Sequence, residues 1–235
     1  MRDPQSELRD YLQRLVYRYL NLSSLQRELH IIEGWRSRSG TGAYDLGTYF
    51  LALVGYSFRR IILVELASLL SEGEEKSLLD WLGKAREHAA HLQPSLYDAS
   101  CSRQRSMALD EYREIIERQL SEIGRHQDTI ERIKTHRDKA IAHLDRAYFN
   151  DPEKLYMDYP LKDDDVDCLL DLVKNILRNH YEYLFSVDAD LEVGSATTSD
   201  TLLRYAEAFL RAGNDRDLIA KGFRPRDYLV DARQP

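Results

Sequence analysis

Asp163-Asp164-Asp165-Val166-Asp167-Cys168-Leu169-Leu170-Asp171-Leu172-Val173-Lys174-Asn175-Ile176-Leu177-Arg178-Asn179-His180-Tyr181-Glu182-Tyr183-Leu184-Phe185 decides the fold class. Val166, Leu169, Leu170, Val173, Ile176, Leu177, Tyr181 and Leu184 recur at steps of three and four, the spacing of one helix face. Three acids stand at the start, where the free N–H groups and positive dipole end of a helix favour negative charge. The segment predicts a helix over Asp163–Phe185.

The same periodicity extends in both directions. Upstream, Leu109, Tyr112, Ile116, Ile123, Ile130, Ile133, Ala140 and Leu144 hold a heptad-like stripe over Ser106–Tyr148, with a possible break near Gly124. Between the two lies Phe149–Lys162, read as an acidic loop because it carries Pro152 and Pro160. Leu8, Tyr11, Leu12, Leu15, Tyr19, Leu22, Leu29 and Ile32 predict a first helix over Ser6–Glu33, with Gly34 as its stop. A Gly/Ser/Arg-rich connection follows. Asp45–Leu70 is apolar on nearly all sides and belongs at the centre of a bundle or at a subunit interface. Ser71-Glu72-Gly73-Glu74 breaks it, a shorter helix covers Lys76–Leu92, and Gln93–Arg105 reads as a loop. Downstream, Ser186–Ser199 reads as a linker and Thr201–Arg211 as a short amphipathic helix stopped by Gly213. The expected architecture is an all-α, up-and-down helical bundle over 1–185, with a helical extension and tail over 186–235.

Composition agrees. The 235 residues include only 11 Gly and 6 Pro, too few turns for a many-stranded β fold. Cys101 and Cys168 lack metal-ligand spacing and read as reduced thiols, as in the cytoplasm. The N-terminus has no apolar signal-peptide core, and Arg59 and Arg60 interrupt the most apolar stretch, Leu46–Leu70, so no membrane span is expected. The net charge of −7 argues against nucleic-acid binding through global charge. Binding of that kind requires a local basic patch.

Such a patch exists. Arg132–Arg146 holds Arg132, Lys134, Arg137, Lys139 and Arg146 against Asp138 and Asp145. Much of the acidity lies instead in Asp151–Asp167. Within the patch stands Thr135-His136-Arg137-Asp138-Lys139-Ala140-Ile141-Ala142-His143-Leu144-Asp145. Here the chain resembles the HEPN superfamily, whose ribonucleases carry an Arg, four to six intervening residues and a His late in a helical bundle. The string Arg137–Asp145 is most similar to the abortive-infection U-type (AbiU-like) subfamily, and Tyr49–Leu70 with Ser77–Ala85 is similar to its second and following helices. The resemblance covers Gln5–Phe185. The bare spacing is weak evidence, because with 25 Arg and 7 His it also occurs at Arg86–His91, where the rest of the string is missing.

The resemblance implies a HEPN-like bundle and metal-independent RNA cleavage by 2′-hydroxyl attack, without a cofactor. His143 would transfer protons and Arg137 would stabilise the phosphorane. Asp138, Lys139, His136 and Asp145 would support them, and Lys134 and Arg146 would contact RNA. It also implies a homodimer with a composite site and a role in phage defence, alongside an antitoxin or other defence-system partner. The alternative is a non-catalytic HEPN module that binds RNA, a nucleotide or a protein. In a regular helix, Arg137 and His143 would be about 240° apart, on different faces. That favours a site shared across a twofold axis. Arg137 also falls at an interior-type position of the heptad stripe, so it must be paired or face a polar interface. Nucleotidyltransferase-regulated HEPN toxins carry a modified Tyr two residues after the His. Asp145 holds that position here, so this regulation is not expected. His88 and His91 are helical neighbours without a third ligand, so no metal site is expected.

Overall fold

A computed structural model describes residues 4–37, 47–98, 103–142, 148, 152–187, 189–192 and 199–212. Its elements are α1 (Pro4–Ser37), α2 (Thr48–Leu70), α3 (Leu78–Glu87), α4 (Ala89–Leu92), a hairpin of β1 (Ser95–Asp98) and β2 (Arg103–Ser106), α5 (Leu109–Arg125), α6 (Gln127–His136), a π-helical turn (Arg137–Ala142), α7 (Pro152–Asp158), α8 (Asp163–Phe185) and α9 (Ser199–Ala212). The all-α expectation holds. Among the described residues, no helix is long and apolar enough to cross a membrane. The chain forms two compact units, one of Met1–Ser24 with Arg60–Val193 and one of Leu25–Arg59 with Gly194–Pro235.

In the first unit α8 spans the segment that its acid-capped periodicity predicts. Asp165 accepts a hydrogen bond from the backbone N–H of Lys162 at 2.9 Å, satisfying one of the donors exposed at a helix start. Val166, Leu169, Leu170, Val173, Ile176, Leu177 and Leu184 are buried. The core also includes Leu12 and Leu15 of α1, Trp81 and Leu82 of α3, and Tyr112 and Ile116 of α5. His180 of α8 is fully buried with both ring nitrogens paired: the Tyr112 hydroxyl donates to Nδ1 at 3.0 Å and Nε2–H donates to Gln119 Oε1 at 2.7 Å. Neutral imidazole satisfies this arrangement, so the ring serves the core without its charge.

Burial pushes the His180 pKa from 6.5 down to about 3. Below pH 6.5 the unfolded chain takes up a proton that the folded chain refuses, so stability falls as pH falls. The loss runs from pH 6.5 towards pH 3 and amounts to about 2 kcal/mol by pH 5. Burial lowers the pKa of His136 too, which adds in the same direction. Urea unfolding at pH 7 and pH 5 measures this, and equal stabilities, or a protonated His180 ring by NMR at pH 5, would overturn it.

Four local expectations are corrected. First, α1 does not stop at Gly34 but runs to Ser37. A Cβ at Gly34 would meet nothing within 4 Å, and the next residue, Trp35, is buried with its indole N–H on Asp200 Oδ1 at 2.9 Å. Packing of Trp35 outweighs the small helix penalty of a glycine. Second, Gln93–Arg105 is not all loop: Ser95 pairs with Ser106 and Asp98 with Arg103 in an antiparallel hairpin. Its base is tied by Met107 N–H to Pro94 O at 2.9 Å and by a Ser95–Ser186 hydroxyl contact at 2.7 Å. Cys101 lies outside the described residues. Third, Pro152 starts α7 rather than a loop, because proline's fixed φ and missing N–H suit a first helical turn. Leu155 buries this helix. Fourth, the shorter helix expected over Lys76–Leu92 starts at Leu78 and is interrupted at His88. The long helical register is interrupted at His126, close to Gly124, where the sequence places a break.

The second unit is built around Ile32, Trp35, Leu51 and Leu203, with Val54, Phe58 and Ala206 packed against them. Ser199 N–H donates to Glu28 Oε2 at 2.8 Å, anchoring the start of α9. The early part of α2 is only partly covered: Tyr49, Phe50, Leu53 and Tyr56 are exposed, whereas Ile62, Leu63, Leu66, Ala67, Leu69 and Leu70 farther along are buried. Ala189 and Leu191, within the expected linker, are also buried.

Candidate functional site

The motif begins where α6 ends. His136 closes that helix, and its ring is buried beside Tyr156, with centroids 4.7 Å apart. Its Nε2–H donates to the Tyr159 carbonyl at 2.7 Å. This fastens the end of α6 to the segment following α7. The surroundings of the ring are those of a packed side chain.

Arg137 opens a π-helical turn that runs to Ala142. Such turns close hydrogen bonds from i to i+5 and are often found at functional sites. The 240° separation of Arg137 and His143 holds for a regular α-helix, and this segment is not one. In an i to i+5 turn, Ala142 lies one turn along from Arg137. His143, Asp145 and Arg146 lie outside the described residues.

The Arg137 side chain is 17% exposed and paired on two sides. Nε–H donates to Asp138 Oδ1 at 2.7 Å, and Nη1–H donates to Glu74 Oε1 at 3.0 Å. The interior-type position read from the stripe therefore carries the pairing it requires. The hydrogen bond to Asp138 is the main influence raising the Arg137 pKa, with Glu74 adding to it. Glu74 comes from the turn between α2 and α3, where Gly73 takes φ +77°, a left-handed conformation that favours glycine. The two carboxylates fix the guanidinium plane, and Nη2 has no protein partner among the described residues. A planar donor held in this way is suited to a phosphate oxygen.

Lys139 lies in a tyrosine box. Its ammonium is 4.9 Å from the ring centroids of both Tyr148 and Tyr159, and donates to the Tyr159 hydroxyl at 3.3 Å. That hydrogen bond is the main cause of its raised pKa. The Tyr148 hydroxyl donates to Asp158 Oδ2 at 3.1 Å. Lys134 is 3.9 Å from Glu131, an ordinary i,i+3 helix pair. Arg132 donates to the Pro160 carbonyl at 3.0 Å, adding a second tie to the segment after α7.

The structure thus pairs Arg137 with Asp138, sets Lys139 between tyrosines and buries His136. Glu74, Tyr148 and Tyr159 were missed by the sequence reading. No local spacing points to Glu74, because it lies 63 positions from Arg137. The aromatic density of 148–159 was the available signal for the tyrosines.

The other candidates separate from this site. Arg59 pairs with Glu33 at 2.6 Å. Arg86, of the second Arg-to-His spacing, pairs with Glu117 on the surface. The His88 and His91 rings are 6.2 Å apart, and no group of three metal-ligating side chains occurs among the described residues.

A protein-family model described as HEPN_AbiU2 (AbiU2) matches residues 17–205. No curated protein and no solved structure matches the chain.

Proposed function

The chain belongs to the HEPN-type AbiU2 family, and from that premise we propose that it is a metal-independent endoribonuclease of phage defence. The observation that carries this reading is Arg137, clamped by Asp138 and Glu74 with Nη2 unpartnered among the described residues, in a π-helical turn that ends one residue before His143. In the proposed reaction His143 takes the proton of an RNA 2′-hydroxyl. The freed oxygen attacks the adjacent phosphorus, and the developing charge falls on Arg137. The P–O5′ bond breaks, the leaving 5′-oxygen takes up the proton that His143 removed, and the products are a 2′,3′-cyclic phosphate and a 5′-hydroxyl. Asp138 and Glu74 act through Arg137 by holding its plane, and Lys139 adds positive charge beside it. The exposed apolar side chains of α2 support a homodimer, since patches of this kind mark interaction surfaces.

A second reading has its own observation. Both partners of Arg137 are carboxylates, which already neutralise it. That favours a module that binds RNA or a protein without cleaving RNA. Incubation with RNA in EDTA, comparing the wild type with His143→Ala, separates the two. Cleavage by the wild type alone, giving cyclic-phosphate ends, is the expected result. Identical RNA profiles for the two proteins would sink the enzyme reading.

A further inference from the structure

The geometry points to a second RNA contact surface away from the motif: a groove on α1, α3 and the turn between α2 and α3, with two exposed cations and an exposed tyrosine, that takes the sugar–phosphate backbone of single-stranded RNA. This inference rests on the ribonuclease or RNA-binding reading above and adds where the rest of the strand lies.

The groove consists of two adjoining depressions in the first unit, of about 580 Å³ and 450 Å³. Arg14 and Arg18, one helical turn apart on α1, line both. Lys76 and Lys84 line the larger one, and Glu7 and Asp10 mark the N-terminal side. Two of these four cations carry acids of their own, Glu65 on Arg18 and Asp80 on Lys84, so the charge open to a ligand comes from Arg14 and Lys76.

The cations differ in their engagement. Arg18 is locked, with Nε and Nη2 on Glu65 Oε2 at 3.1 and 2.9 Å and Nη1 on the Lys76 carbonyl at 3.0 Å. Lys84 is tied to Asp80 at 2.7 Å and stands 5.6 Å from the Tyr11 ring centroid. Arg14 and Lys76 are exposed, and neither side chain has an ion-pair partner among the described residues. Two free cations beside two fixed ones suit a chain of phosphates, with the free pair able to follow a flexible backbone.

Tyr17, 67% exposed, lines the smaller depression beside Arg14 and Arg18. An exposed ring next to cations without ion pairs is the combination that holds single strands, through base stacking and phosphate contacts. The groove also adjoins the motif. Lys76 follows two residues after Glu74, the Arg137 partner, so their Cα atoms lie within about 7 Å. One turn therefore carries a residue of each surface, Glu74 of the clamp and Lys76 of the groove.

The test is fluorescence-anisotropy binding of a labelled 2′-O-methyl RNA dodecamer, which has no 2′-hydroxyl and resists cleavage. The wild type, R14E/K76E, R14Q/K76Q and R137A are compared over a range of salt. The expected result is at least tenfold weaker binding for R14E/K76E. For R14Q/K76Q the log–log salt dependence should flatten by about 1.4, the loss of two single-strand phosphate contacts. Thermal unfolding should be unchanged, because both side chains are exposed. Unchanged affinity and salt slope in both groove variants, with weakened binding in R137A, would overturn the groove and leave the RNA reading standing. Absence of wild-type binding up to about 100 µM would overturn both together.

Discussion

Arg137→Ala lowers the rate of RNA cleavage by roughly 10²–10³-fold while the protein stays folded; this is the expected result of removing one fixed donor from the developing phosphorane charge. The separation of activity from stability follows from the exposure of the partners. Glu74 and Asp138 are 42% and 38% exposed, so water solvates both once the guanidinium is gone. The stability cost should stay within about 1 kcal/mol, as for other solvent-accessible ion pairs. Arg137→Lys should not restore the rate, since an ammonium cannot meet two carboxylates and a phosphate in one plane. Glu74→Gln gives the finer test. Its amide oxygen can still accept from Nη1–H, but the charge that competes with phosphate is removed. KM for RNA should fall with kcat nearly unchanged. Initial rates over RNA concentration measure both quantities, and an Arg137→Ala enzyme that retains the wild-type rate would remove Arg137 from the chemistry.

Trp81→Ala has the largest expected effect on stability. The indole is fully buried, donates Nε1–H to the Leu8 carbonyl at 3.0 Å, and meets the His180 ring edge-on at 4.7 Å between centroids. Truncation leaves a cavity, removes the second hydrogen bond to a carbonyl of α1 and uncovers one side of the Tyr112–His180–Gln119 chain of hydrogen bonds. The expected cost is about 3–5 kcal/mol. In a chain of this size that corresponds to a fall in Tm of about 10 °C. Trp81→Phe keeps most of the volume and loses the hydrogen bond, so it should cost distinctly less. Calorimetry on the three proteins tests this. A Trp81→Ala melting point within 2–3 °C of the wild type would show that the site collapses without a cavity.

Much of the fold is legible along the chain because the information is local. The spacing of Val166 to Leu184 and the three acids before it define α8 from end to end. Ser71–Glu74 ends α2, as its glycine and polar residues indicate. Failures of the local reading occur where a nonlocal contact overrides a weak signal. Gly34 stays helical because Trp35 is buried and bonded to Asp200, 165 positions away. The hairpin over 95–106 has little hydrophobic alternation to announce it, and is held by backbone pairing and a hydroxyl contact to Ser186.

The candidate site divides along the same line. Arg137, Asp138 and Lys139 are adjacent in sequence, so their shared place and the need to pair Arg137 could be read from the stripe and the motif. The sequence by itself determined an all-helical chain, its family and the position of a short basic seam within an acidic protein. Periodicity, capping charge and a contiguous motif are all properties of neighbouring residues. Only the tertiary structure decided that Glu74 completes the clamp on Arg137, that Tyr148 and Tyr159 enclose Lys139, and that Arg14 and Lys76 line the same groove. Those pairings depend on which side chains meet when distant segments pack, and on how much water each loses in doing so, which no spacing along the chain encodes.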